Sequence, residues 1–239
     1  MMNKQFKLKF AIVLLLATIS VRAQKEKLIG FWEIEKVEIG EENMTPVAKW
    51  TKINTDGTYQ SGNGWLQNSM GTWNYNQEDN TYSAKDSLDI FDEYGGFKVS
   101  FDEQKMIWER QEDGMKVKVS LKAIDKLPMS PADYLEGMWR LQDITDNAIS
   151  VLDDFDKERR HKLFIRWDRI YLNFNPAGKK LSGYWHINGH KPVITLLPHQ
   201  DEEKAESWTI KVDERELIMT GSSDSNRTIV KRYKRQNHF

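Results

Sequence analysis

An all-β fold built from two tandem copies of one small antiparallel domain is what this sequence predicts, and three observations predict it. A twelve-residue stretch occurs twice: Leu28-Ile29-Gly30-Phe31-Trp32-Glu33-Ile34-Glu35-Lys36-Val37-Glu38-Ile39 returns as Leu135-Glu136-Gly137-Met138-Trp139-Arg140-Leu141-Gln142-Asp143-Ile144-Thr145-Asp146. After each tryptophan the apolar residues fall at +2 and +5 (Ile34 and Val37, Leu141 and Ile144). That is a period of two that skips one residue, the pattern of a strand with a bulge or of one turning a tight corner. The remainder is short alternating segments between Gly, Asn and Asp turns with no helical period, which points to a closed barrel or a sandwich. A repeat as long as a whole domain argues against a solenoid or propeller.

Residues 1–23 stand apart from the repeat. Lys4, Lys7 and Lys9 precede the apolar run Phe10 to Ala17, and Val21-Arg22-Ala23 precedes Gln24. A basic start, a short apolar run and a small-residue end read as a cleaved signal peptide. The expectation is an exported protein, periplasmic or extracellular, with no membrane span after cleavage. The chain has no cysteine. It therefore has no lipidation site behind the signal, no disulfide and no thiolate chemistry. Residues 24–128 carry 13 basic and 19 acidic residues, whereas residues 129–239 carry 18 and 17. That balance lacks the strong positive charge of a nucleic-acid-binding protein.

The first domain is expected over residues 24–127. Its Gly-x-Trp strand runs to Ile39, and Val47 to Ile53 leads into the hairpin signal Asn54-Thr55-Asp56-Gly57. Gly62-Asn63-Gly64-Trp65 follows Thr58-Tyr59-Gln60, and Gly71-Thr72-Trp73 repeats the Gly-x-Trp device. Short strands are expected at Leu88 to Phe91, Phe97 to Phe101, Met106 to Glu109 and Met115 to Leu121. A linker over 128–134 holds Ser130-Pro131-Ala132-Asp133, a capping residue, a first-turn proline and an acid three residues after the cap. One helical turn there plugs a barrel end just ahead of the next strand; Lys25 to Leu28 has the same place in the first copy but no cap. The second domain is expected over 135–239. Its Tyr171 to Gly178 matches Trp50 to Gly57, and Gly183-Tyr184-Trp185 matches Gly71-Thr72-Trp73. On that matching the second copy lacks the loop around Trp65 and carries an insertion at Val151 to Lys162. The terminal Lys231-Arg232-Tyr233-Lys234-Arg235 reads as a solvated edge.

A Gly-x-Trp-x-apolar start, an apolar-Asn-x-x-Gly hairpin and a second Gly-x-Trp, in a domain of about 100 residues behind a signal peptide, resemble the lipocalin-like domains of bacterial exported proteins. The resemblance implies an eight-stranded barrel in each copy, with Trp32 and Trp139 across the closed ends. It implies a basic residue against each ring, at Lys122 and at Arg232 or Lys234. A long C-terminal flanking helix, usual in larger lipocalins, is missing. The resemblance implies binding of small apolar molecules or protein contacts, and it transfers no catalytic residue.

Gly30, Trp32, Gly71, Trp73, Gly137, Trp139, Gly183 and Trp185 read as framework, with Trp108 also in a core. Trp65, in its glycine-rich loop, reads as a lid or docking residue, and Trp50 and Tyr59 as its companions in ligand binding. His186 and His190 lie about 13 Å apart along an extended strand, too far to share a metal. Asp153-Asp154-Phe155-Asp156 with Glu158 lacks the spacing of a calcium loop. Nucleophile elbows, phosphate loops and dinucleotide patterns are absent, so no catalytic residue, metal or cofactor is expected. Two classes of function stay open: a non-catalytic binder of a small apolar ligand held in a barrel, and a structural or interaction subunit of an envelope or secreted assembly with filled barrels.

Overall fold

Each Gly-x-Trp stretch opens a strand that pairs with the last strand of its own copy, and that pairing closes a barrel. The computed structural model describes residues 24–88, 92–187 and 191–236. The expected signal segment, the end of the expected strand at residues 89–91, and His190 lie outside the described residues. The chain divides into two compact units between Pro128 and Met129. Each unit is a closed antiparallel barrel of eight strands with one short extra strand. Among the described residues no helix is long and apolar enough to cross a membrane.

The first barrel runs β1 (Gly30–Ile39), β2 (Glu42–Met44), β3 (Trp50–Ile53), β4 (Thr58–Asn63), β5 (Leu66–Asn76), β6 (Thr81–Asp86), β7 (Phe97–Asp102), β8 (Lys105–Glu112) and β9 (Met115–Ala123). Strand β2 only lengthens the end of β1, and the β1–β9 pairing closes the wall. The second barrel repeats this order as β10 (Gly137–Asp146), β11 (Ile149–Ser150), β12 (Lys162–Ile165), β13 (Ile170–Phe174), β14 (Lys180–Ile187), β15 (Val193–Pro198), β16 (Glu206–Val212), β17 (Glu216–Gly221) and β18 (Ile229–Arg235). The skipped residue of the +2/+5 pattern is a bulge in both copies, between Ile34 and Lys36 and between Leu141 and Asp143. It turns Val37 and Ile144 back into the core, which the plain alternation would have pointed outward.

Both closed ends are plugged alike. Residues 24–28 are helical (α1), and the matching turn of the second copy is α2 (Pro131–Leu135). The capping box of α2 is complete, with the Ser130 side chain accepting from the Asp133 amide and the Asp133 side chain accepting from the Ser130 amide. Leu28 and Leu135 are fully buried. Their carbonyls accept the indole N–H of Trp32 at 2.9 Å and of Trp139 at 2.7 Å. The second tryptophans are tied too, Trp73 to the Asn54 carbonyl and Trp185 to the Arg166 carbonyl. Gly71 and Gly183 allow the close approach of the next strand: a Cβ there would lie 2.0 Å from the Lys85 oxygen and 2.2 Å from the Leu197 oxygen.

Two expectations change here. Strand β18 is hydrogen-bonded on both sides, to β10 and β17, so Lys231 to Arg235 is a closing strand and not an edge. Its alternation carries Tyr233 inward to 4% exposure. The cation against the closed-end ring is Arg235, 4.2 Å from the Trp139 centroid, one residue beyond the expected pair. In the first barrel Ala123, not Lys122, stands opposite Trp32.

Candidate functional site

The rungs of the two ladders give a residue-by-residue equivalence. Tyr59 pairs with Gly71 as Tyr171 pairs with Gly183, and Thr58 pairs with Thr72 as Ile170 pairs with Tyr184. The spacing from β4 to Gly71 therefore equals the spacing from β13 to Gly183, and the expected loss of the Trp65 loop is corrected: the second barrel has a hairpin of the same length. The counterpart of Asp56-Gly57 is Asp168-Arg169, with φ of 83° at Gly57 and 66° at Arg169. Arginine in a left-handed position that favours glycine removes the turn signal from that hairpin. Asn175-Pro176-Ala177-Gly178 instead closes the next one, between β13 and β14.

With the register set, the interiors differ at a few positions. In the first barrel Tyr82 stacks between Trp73 and Trp108, with centroids 6.1 and 4.8 Å away, and Phe97 lies 5.7 Å from Trp108. This pile of rings fills the barrel and leaves a cavity of about 180 Å³. In the second barrel the rung Val99–Trp108 becomes Ile210–Met219, and Tyr75–Tyr82 becomes Ile187–Ile194. Three large rings are thus replaced, and a cavity of about 350 Å³, lined in part by Met219, lies at the barrel mouth.

Its walls are mixed. Leu163, Leu196 and Met219 give apolar surface, and Tyr171, Tyr233, His161, Asn173, Gln200, Glu206 and Lys231 give polar groups. Lys231 occupies the place of Val119, and Tyr233 the place of Leu121, on the matching rungs of the closing strands. The Lys231 ammonium sits 4.6 Å above the Trp208 ring. Burial pushes its pKa down against the opposing pull of Glu206. No carboxylate among the described residues lies within ion-pairing distance of it.

His161 stands at the place of Lys49, just ahead of β12, at the end of the longer β10–β12 connection. Helix α3 (Leu152–Phe155) sets Phe155 5.4 Å from the imidazole. Fully buried Asp156 accepts the amides of Arg160 and His161 at 2.8 and 2.9 Å. The ring is 2% exposed, and its Nε2 lies 3.3 Å from the Tyr233 hydroxyl. Burial first, and the Lys231 charge second, push the imidazole down to about 4, with Asp156 opposing. His161 Nδ1, Asn173 Oδ1 and Gln200 Oε1 are buried without a hydrogen-bond partner. A wall with unmet hydrogen-bonding capacity is expensive unless something completes it.

The residues expected to bind ligand are dispersed. Tyr59 lines the small first cavity, and its hydroxyl meets Ser69 at 2.9 Å. Trp50 is buried on the outer wall against Phe31, its indole N–H donating to the Gly64 carbonyl. Trp65 is 73% exposed at the tip of the β4–β5 hairpin, beside exposed Leu66 and Met70. Trp65→Ala is expected to change stability by no more than about 0.5 kcal/mol in urea unfolding, since little surface is buried there.

Two acids of the β10–β12 connection are ion-paired within it, Asp153 with Arg159 and Glu158 with Arg160. Among the described residues no group of three His, Asp or Glu is placed to hold a metal ion. His161, Lys231 and Tyr233 were missed in the sequence; Val119 and Leu121 at the matching places are the signal for the last two, and His161 replaces Lys49. No family model matches the chain, and a search of curated proteins found no match.

Proposed function

We propose that the chain is an exported, non-catalytic binding protein of the lipocalin-like type, whose second barrel encloses a small, largely apolar molecule with a polar end. One observation carries this reading. The same eight-stranded frame is filled in the first copy by the Trp73–Tyr82–Trp108 pile and is hollow in the second. Packing alone favours filling, because voids forfeit dispersion contacts. A volume of about 350 Å³ lies within the range of small-molecule sites.

Met219→Trp tests it by restoring the ring found at Trp108. Displacement of a fluorescent apolar probe should be lost at least tenfold in this variant, with a cooperative melt retained. Native mass spectrometry of protein from its own source should show a retained small molecule in wild type only. Undiminished probe binding by the variant would move the site out of this cavity.

A second reading, docking on an envelope or secreted protein, is favoured by Val47, Trp65, Leu66 and Met70. All four are exposed at or beside the β4–β5 hairpin, with Val47 tied to it through Asn68. A cluster of exposed large apolar side chains marks interaction surfaces. A subunit that copurifies with wild type and not with a Trp65→Ser, Leu66→Ser variant would support it.

A further inference from the structure

Resting on the binding reading above, we infer that the ligand of the second barrel is a compact carboxylic acid, its carboxylate held by Lys231 and its hydrocarbon part lying against Leu163, Leu196 and Met219. The two barrels supply the argument. On equivalent rungs of the closing strands the first copy has Val119 and Leu121, and the second has Lys231 and Tyr233. The first copy demonstrates that the frame closes with aliphatic residues there, so the ammonium is not a requirement of the fold. Removing an ammonium from water is costly unless an anion or several hydrogen bonds compensate it. The Trp208 face compensates in part. Glu206 acts on Lys231 only through space, and Glu203 and Lys204, also on the lining, are exposed. Neutral His161 and Tyr233 complete the surroundings. An anionic end is the missing partner.

The chemistry of the wall narrows the class to one negative charge. Among the described residues, no arginine fork and no cluster of helix N-termini, which hold phosphates and sulfates, lines this cavity. A second negative charge would face Glu206, and the other cation of the lining, Lys204, is exposed to solvent. A lysine is a point charge that takes one carboxylate oxygen and leaves the other for a hydroxyl or amide donor; Tyr171, Asn173 and Gln200 are on the same lining. The volume is at the small end of ligand sites, which suits a medium-length or aromatic acid and not a two-chain lipid.

The test compares decanoate with decanol, equal in chain length and differing in charge, on the full chain at pH 7.5. Wild type is expected to bind decanoate at least tenfold more tightly than decanol by calorimetry and by quenching of tryptophan fluorescence. Lys231→Met should lose that preference, through at least a tenfold loss for decanoate, and keep or improve its hold on decanol. Retained decanol binding shows that the variant is folded, and the wild-type preference needs no variant. Equal affinity of wild type for both compounds overturns the carboxylate inference and leaves the binding reading standing. Binding of neither by wild type, with its apolar probe also undisplaced, overturns both. Decanoate bound as tightly by Lys231→Met as by wild type places the charge elsewhere and overturns the assignment.

Discussion

Trp139→Ala is expected to destabilise the second barrel by about 3–5 kcal/mol. The indole is fully buried, and its N–H is the partner of the Leu135 carbonyl that ends the plug helix. Arg235 lies over its outer face while donating to the carbonyls of Tyr134, Glu136 and Glu214. Alanine thus leaves a cavity, an unpaired carbonyl and a guanidinium without its aromatic floor. Trp32→Ala should cost about 1 kcal/mol less, because Ala123 stands opposite Trp32 and no arginine stacks there. Urea unfolding followed by circular dichroism measures both. A loss under 1 kcal/mol for Trp139→Ala would show that the plug does not depend on the ring.

Acidification from pH 7 to pH 4 is expected to remove about 3 kcal/mol from the second barrel through His161 alone. The sign follows from where the proton binds. An unfolded histidine takes a proton near pH 6.5, whereas the buried ring resists until about 4. Between these values the unfolded chain holds more protons, so the contribution of His161 is complete above 6.5 and is lost as pH falls toward 4. Carboxylates elsewhere also titrate, and His161→Phe separates them. The difference between wild type and variant should shift by about 3 kcal/mol across this window and be flat above pH 7. Parallel curves would mean that the ring gains its proton without cost, by rotating toward water.

Much of the frame was legible because tryptophan is large and bulges are regular. The +2/+5 spacing after Trp32 and Trp139 located both bulges, but not the last strands that pair with them. Ser130 to Asp133 gave the plug helix through capping chemistry that is local in sequence. The hairpins misled, because a turn is recognised by its left-handed residue. Arg169 holds that conformation without being glycine, so the glycine signal passed to Gly178, one hairpin later. The match of Met219 to Trp108 did not depend on the hairpins: Val212 to Met219 lies over Phe101 to Trp108 in the sequence, and the rungs agree. Lys231 and Tyr233 were concealed differently: a run of basic residues looks solvated until period two sends every other one inward.

The closure of each barrel by its own first and last strands also bears on how the chain reaches its native state. Neither copy can complete its wall until about 100 residues have emerged, and such non-local pairing is slow. Two sister domains with the same bulge at the same offset then present interchangeable edges, the setting in which tandem repeats cross-pair and become trapped. The interiors discriminate between them. Were β18 to close the first barrel, Lys231 would be driven into the Trp73–Tyr82–Trp108 pile, with no anion and no space. Were β9 to close the second, Val119 and Leu121 would leave His161 without the Tyr233 hydroxyl. The side chains that make the second copy hollow and polar thereby tell each closing strand which partner is its own.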